Sequence, residues 1–131
     1  MNHHAAAAAY RTSSVENAPP IKIVRMLYEG AVRFLDRAAA ETPGCPEYQT
    51  LLGRADAIVS ELRCSLDHAP APEVSRNLES LYIFVEEQIA AARMENDAER
   101  ITAARRVLTT LLEGWEHVQV QPETSPGAEA A

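Results

Sequence analysis

The chain has 131 residues, enough for one domain with one core and too few for two ordinary ones. Hydrophobic residues make up 47%, which excludes wholesale disorder; with aromatics at only 5%, the apolar mass is Ala, Leu, Val and Ile, the composition of helices packed on helices. A net charge of −7, from 19 acidic and 12 basic residues, argues against binding a phosphate backbone, so no nucleic-acid partner is expected.

No apolar run approaches the ~20 residues that span a bilayer, so no membrane insertion is expected. The start, Met1-Asn2-His3-His4-Ala5 through Ala9, lacks a cationic stretch followed by a Leu-rich segment and is not read as a secretory signal. A cytoplasmic location follows as the expectation. Cys45 and Cys64 are the only cysteines and do not make a disulfide scaffold. They read as reduced thiols, Cys64 packed and Cys45 in a loop.

Residues 1–18 read as a mobile polar arm. Within it Tyr10 is either an isolated exposed aromatic or an anchor that folds the arm back onto a groove, a role suited to a large ring with a polar tip. The punctuation that follows is Pro19-Pro20, Pro43-Gly44-Cys45-Pro46, Pro70-Ala71-Pro72, Glu95-Asn96-Asp97 and Gln121-Pro122. Between these marks lie helical segments of roughly 20 residues, the lengths expected in one bundle.

The first segment runs from about Pro20 to Ala40, with proline at a first helical turn where its missing N–H costs nothing. Ile23, Leu27, Ala31, Phe34 and Ala38 repeat at helical spacing, and Val24, Tyr28 and Leu35 lie beside them, a stripe wider than one seam requires. Glu29 and Arg33 form an i,i+4 pair worth ~0.3 kcal/mol. The second segment, about Glu47 to His68, carries Leu51, Ala55, Ile58, Leu62 and Leu66, with Leu52 and Val59 alongside. The third, about Pro72 to Arg93, carries Val74, Leu78, Leu81, Val85, Ile89 and Ala92. The fourth, about Asp97 to Val118, has Ile101, Ala104, Leu108, Leu111, Trp115 and Val118 in steps of three and four, with Asp97 as its N-cap.

No period-two alternation and no Asn-Gly or Asp-Gly turn suggests a strand. Short linkers between helices of similar length force neighbours antiparallel. The expectation is an all-α, antiparallel up-down-up-down four-helix bundle over residues 19–118. A mobile N-terminal arm precedes it, and a disordered tail of linker composition follows over 119–131.

Catalytic readings fail on residue content. A di-metal carboxylate bundle needs Glu-x-x-His on two helices, and this chain has none. Glu113 and Glu116 have i,i+3 spacing, but His117 follows at once, and both read as solvated glutamates. His68 and His117 sit at predicted helix ends, where a weak interaction with the helix dipole is the expected role. Cys-x-x-Cys and a Gly-rich phosphate loop are absent from the sequence, and no nucleophile-base set stands at element ends. No enzyme, cofactor or metal is expected. Helix one offers Val24, Tyr28, Val32 and Leu35 beyond a minimal seam, and helix three offers Ile83 and Phe84. Such a surplus either packs on two neighbouring helices or is covered by a partner.

The run Tyr10…Val15-Glu16-Asn17-Ala18-x-Pro20, then Met26-Leu27-Tyr28-Glu29-Gly30-Ala31, resembles the signature of the flagellin-specific export chaperones, the FliS family. The order that follows is similar too: Leu62…Ser65-Leu66-Asp67, Asn77-Leu78-x-x-Leu81-Tyr82, and Trp115 late in the last helix. The chain departs from the family pattern at Pro19, where serine is usual, and at Ala92-Arg93, where Ala-Asn is usual. The resemblance implies a cytosolic chaperone for one client. It would bind the disordered C-terminal segment of flagellin one-to-one, prevent its polymerisation and deliver it to the flagellar export apparatus. It also implies that the arm around Tyr10 occupies part of the client groove and is displaced on binding. On that analogy Tyr10, Val15, Leu27, Tyr28, Leu35, Asn77, Leu81 and Tyr82 are the expected contact or gating residues. Leu27 and Leu81 read first as core, and Asn77 has the alternative of a buried helix–helix hydrogen bond. The competing reading is a non-catalytic bundle that self-associates through helices one and three, and homodimerisation of the client-free protein stays open.

Overall fold

In a computed structural model the described residues are 9–10 and 21–120, with backbone alone for 116–120. They form four α-helices in the order α1 Ile21–Ala39, α2 Pro46–Cys64, α3 Pro72–Glu95 and α4 Glu99–Val120, and no strand occurs among them. Helix α1 packs on α2 and α4, and α3 packs on the same two, while the diagonal pairs stay apart. That is the square cross-section of a four-helix bundle. Side-chain pairs fix the directions. Arg37 reaches Glu47 whereas Gly30 faces Ile58; Gln49 reaches the carbonyl of Arg93 whereas Ser60 reaches Glu86; Asp36 meets Arg105 whereas Tyr28 meets Trp115. In each case the contact moves forward along one helix as it moves back along the other, so those neighbours run antiparallel.

Local chemistry explains most helix ends. Pro46 and Pro72 open α2 and α3 at first-turn positions, where no N–H is needed. The Cys45 sulfur caps α2 by accepting from the Tyr48 N–H at 3.4 Å. Asn96 ends α3 in the left-handed conformation at φ 53°, returning its N–H to the Ala92 carbonyl. Asp97 acts as expected at the start of α4, its Oδ1 accepting from the Glu99 N–H at 3.0 Å. Helix α2 stops at Cys64, short of the expected His68. Its last turn tightens, with the Leu66 N–H bonded to the Arg63 carbonyl at 3.3 Å, and the Asp67 N–H leaves the helix for the Ala9 carbonyl at 3.1 Å.

The core follows the expected stripes in three helices: Leu51, Leu52, Ala55, Val59 and Leu62; Leu78, Val85, Ile89 and Ala92; Ile101, Ala104, Leu108 and Trp115. Helix α1 is rotated from its expected register. Its buried residues are Val24, Tyr28, Ala31, Leu35 and Ala38, so Ile23 turns outward at 45% exposure and Leu27 and Phe34 lie half-buried at the rim. Cys64 is exposed rather than packed, because Leu62 takes the inward position and a residue two further on points away. Glu29 pairs with Arg25 at 3.5 Å, not with Arg33. Apart from Ala9, Tyr10 and the backbone of 119–120, the arm and tail of the sequence reading lie outside the described residues.

Gly44 sits in the α1–α2 link at φ +89°, and a Cβ there would lie 2.9 Å from Asn96 Oδ1. Gly44→Ala should therefore cost about 1–2 kcal/mol in urea unfolding, with an unchanged denaturant slope. An unchanged midpoint would show that this link relaxes freely.

Candidate functional site

A helix leaves its last carbonyls without partners in its own ladder. At the end of α2 the Leu66 N–H, which would serve the Leu62 carbonyl, has gone to Arg63. The Leu62 oxygen instead accepts from the Tyr10 hydroxyl at 2.9 Å. The Tyr10 oxygen lies 2.8 Å from that of Tyr82, and the Tyr82 hydroxyl in turn meets that of Tyr28. Each phenol has one proton and a carbonyl can only accept. The order is therefore fixed: Tyr28 donates to Tyr82, Tyr82 to Tyr10, and Tyr10 to Leu62. All three rings are fully buried, and such a chain strengthens each member by polarisation.

Ring packing completes the cluster. Trp115 meets Tyr10 edge-on at 5.6 Å between centroids and lies 6.0 Å from Tyr28, while Tyr28 and Tyr82 make an edge contact at 6.2 Å. The cluster thus joins the arm, the end of α2, and the interior faces of α1, α3 and α4. A second tie runs through the α2–α3 link, where Asp67 donates its N–H to Ala9 and its carbonyl accepts from the buried Ser75 hydroxyl at 3.0 Å. At the opposite end the Tyr48 hydroxyl donates to the Ala92 carbonyl at 2.8 Å, an oxygen that the Asn96 and Asp97 N–H groups also reach.

Burial holds the Tyr10, Tyr28 and Tyr82 phenols well above their ordinary value, and the neighbouring phenols of the cluster add to the effect through charge repulsion. They are neutral donors and acceptors at physiological pH, and none is a poised nucleophile or base. Among the described residues no group of three or more His, Cys, Asp or Glu could hold a metal ion. No helix among them is long and apolar enough to cross a membrane.

Of the expected contact or gating residues, Tyr10, Tyr28 and Tyr82 come together in this cluster. Leu35 is buried further along α1. Leu27 and Leu81 are half-buried, Asn77 is exposed rather than buried between helices, and Val15 lies outside the described residues. Tyr10 is fully buried, not an isolated exposed aromatic. Side chains that the sequence reading missed as surface are Ile23 and Met26 on α1, 45% and 53% exposed. Ile83 and Phe84 on α3, expected as surplus, are 40% and 39% exposed. The bundle is closed without them, so they form apolar rims on the exterior, where Met94 near the end of α3 is also exposed.

Two tests address the cluster. Tyr10→Phe removes the donor to Leu62 and should cost about 1–3 kcal/mol in chemical unfolding. Tyr82→Phe should cost a similar amount, and the double variant less than the sum, because the residues share one chain of hydrogen bonds. The second test is pH. The folded phenols titrate above the unfolded ones, so the cluster's stability should be fully present below about pH 10 and decline as pH rises toward the raised folded values, by about 1.4 kcal/mol per pH unit per phenol. A urea midpoint that stays level to about pH 11 would contradict the buried, neutral cluster.

A family model described as "Flagellar protein FliS" matches residues 1–122 of the chain. The flagellar secretion chaperone FliS of Campylobacter jejuni is 32% identical over 90% of this chain and 94% of its own length. That of Vibrio cholerae is 31% identical over 88% of each chain, and that of Salmonella typhimurium 29% identical over 86% of this chain and 84% of its own. With a match across nearly its whole length, this chain belongs to the FliS family of flagellar secretion chaperones.

Proposed function

We propose that this protein is a cytoplasmic chaperone that binds the C-terminal segment of flagellin one-to-one, blocks its polymerisation and hands it to the flagellar export apparatus. The family is one of chaperones rather than enzymes. The observation that carries the finer reading is the apolar rim, Ile23 and Met26 on α1 and Ile83 and Phe84 on α3, left exposed by a core already complete. An amphipathic helix laid into a groove needs that surface and no catalyst. Burying it offsets the roughly 2–5 kcal/mol that ordering a disordered client costs. Tyr10 serves as the gate. Tyr10 is tied by phenolic hydrogen bonds to Leu62 and Tyr82, and Ala9 by a backbone hydrogen bond from Asp67, bonds a client segment can replace in kind. Release at the export apparatus then requires only competition for a finite affinity.

Titration calorimetry against the C-terminal ~40 residues of flagellin from the same genome tests this directly. Tight one-to-one binding with a large negative heat-capacity change is the expected result, the signature of folding onto apolar surface. Folded protein that gives no heat at high micromolar client, or that associates only with itself, would remove the flagellin assignment.

A further inference from the structure

On α1, Ile23, Met26, Leu27, Gly30 and Phe34 follow one another in the steps that bring Gly30 onto Ile58 of α2, so these residues edge the α1–α2 groove. At its Phe34 end the groove is not merely apolar. The guanidinium of Arg37 lies 5.9 Å from the Phe34 ring centroid and that of Arg54, on α2, lies 6.0 Å from it. Both are within cation–π range of one half-buried ring. Arg33 folds back along the same edge, its Nη2 3.9 Å from where a Gly30 Cβ would stand. Among the described residues Arg33 and Arg54 have no carboxylate partner, and Arg37 has only Glu47 at 3.9 Å. Two arginines over one aromatic ring, with a third along the same groove edge, run against the sign of a chain whose net charge is −7. All three are exposed, and two lack any ion pair among the described residues, which leaves their charge available to a partner.

We propose that this arginine-flanked end of the α1–α2 groove is the specificity element for the client. It receives an amphipathic helix whose apolar side chains lie on Leu27, Phe34 and Ile58 and whose acidic side chains reach Arg33, Arg37 and Arg54. The inference rests on the client-binding reading above and adds to it a place and a charge. Arginine suits the task because its planar fork pairs with a carboxylate while its face stays on the ring. Such a patch sets partner choice and encounter rate, so its effect weakens with salt.

The test measures binding of a fluorescently labelled flagellin C-terminal peptide to the full chain, alongside a peptide whose Asp and Glu are replaced by Asn and Gln. The variants are Arg33→Glu with Arg54→Glu, and Arg76→Glu, an exposed arginine on α3, as control. Thermal unfolding followed by circular dichroism confirms that each variant is folded. The double variant should bind the acidic peptide about tenfold or more weakly and lose most of the salt dependence. Arg76→Glu should change little, and the amidated peptide should bind native and double-variant protein alike. Equal binding by every variant would overturn the groove assignment while leaving the chaperone reading intact. So would equal weakening toward both peptides, which would show that carboxylates are not what is read. Loss of self-association in the double variant, with client binding unchanged, would assign the surface to a second copy and overturn the proposal as well. Native protein that binds neither peptide would instead refute the chaperone reading itself.

Discussion

One helix end organises this molecule. By tightening its last turn, α2 releases the Leu62 carbonyl inside an apolar core, where an unpaired acceptor costs about 1–3 kcal/mol. Its donor comes from far back in the chain, the Tyr10 hydroxyl. That bond in turn sets the direction of the two behind it, because a phenol that donates to a carbonyl must accept from its neighbour. A single backbone choice at Leu66 therefore fixes the protons of three tyrosines on three separate elements. It also explains how diagonal helices that never touch through their backbones are coupled: Tyr28 of α1 and Tyr82 of α3 meet at the middle through their hydroxyls.

The same arrangement separates stability from recognition. A buried tyrosine hydroxyl donates to a helix-end carbonyl at each end of the bundle: Tyr10 to Leu62, otherwise unpartnered among the described residues, and Tyr48 to Ala92, which backbone N–H groups also reach. The seams between are filled by Leu, Val, Ala and Ile. Outside the core stand Ile23, Met26, Ile83, Phe84 and Met94, which leave apolar surface free to be covered by something else. The polar chain at the Tyr10 end is suited to reversible docking. An arm held by directional bonds and ring edges can leave and return without the core collapsing into its place, since Tyr28, Tyr82 and Trp115 keep one another in position.

Much of this was legible in the residues. Helix number and order, the proline starts, the Asn96-Asp97 break and the stripes of three helices all follow from local patterns. Helix α1 did not, and the reason is instructive. Read through Ile23, Leu27, Ala31, Phe34 and Ala38, its apolar steps are four, four, three and four. Read through Val24, Tyr28, Ala31, Leu35 and Ala38, they alternate four and three, the better seam. A stripe wide enough to hold both registers hides which one faces inward, and the buried hydroxyl of Tyr28 decides it by needing Tyr82. Two Leu-Tyr pairs in comparable places were visible in the sequence, but hydroxyls meeting across a diagonal are long-range geometry. The early end of α2 was illegible for the same reason: Leu66 continues the apolar pattern, yet its N–H turns to Arg63 and that of Asp67 to Ala9, a partner distant in sequence. Arg37 stands one turn on from Phe34 in the same helix, but Arg54 reaches that ring from α2 and carries no local signal.

The contact on which all of this depends is the docking of Ala9 and Tyr10 on the end of α2. Site-resolved amide exchange at Asp67 measures it most directly, because its N–H is bonded to Ala9 of the arm and to nothing in α2. The Asp67 amide should exchange slowly in the native protein and become fast in Tyr10→Phe, while amides in the middle of α2 and α3 keep their protection. Fast exchange at Asp67 in the native protein, or protection unchanged by the loss of the Tyr10 hydroxyl, would contradict it.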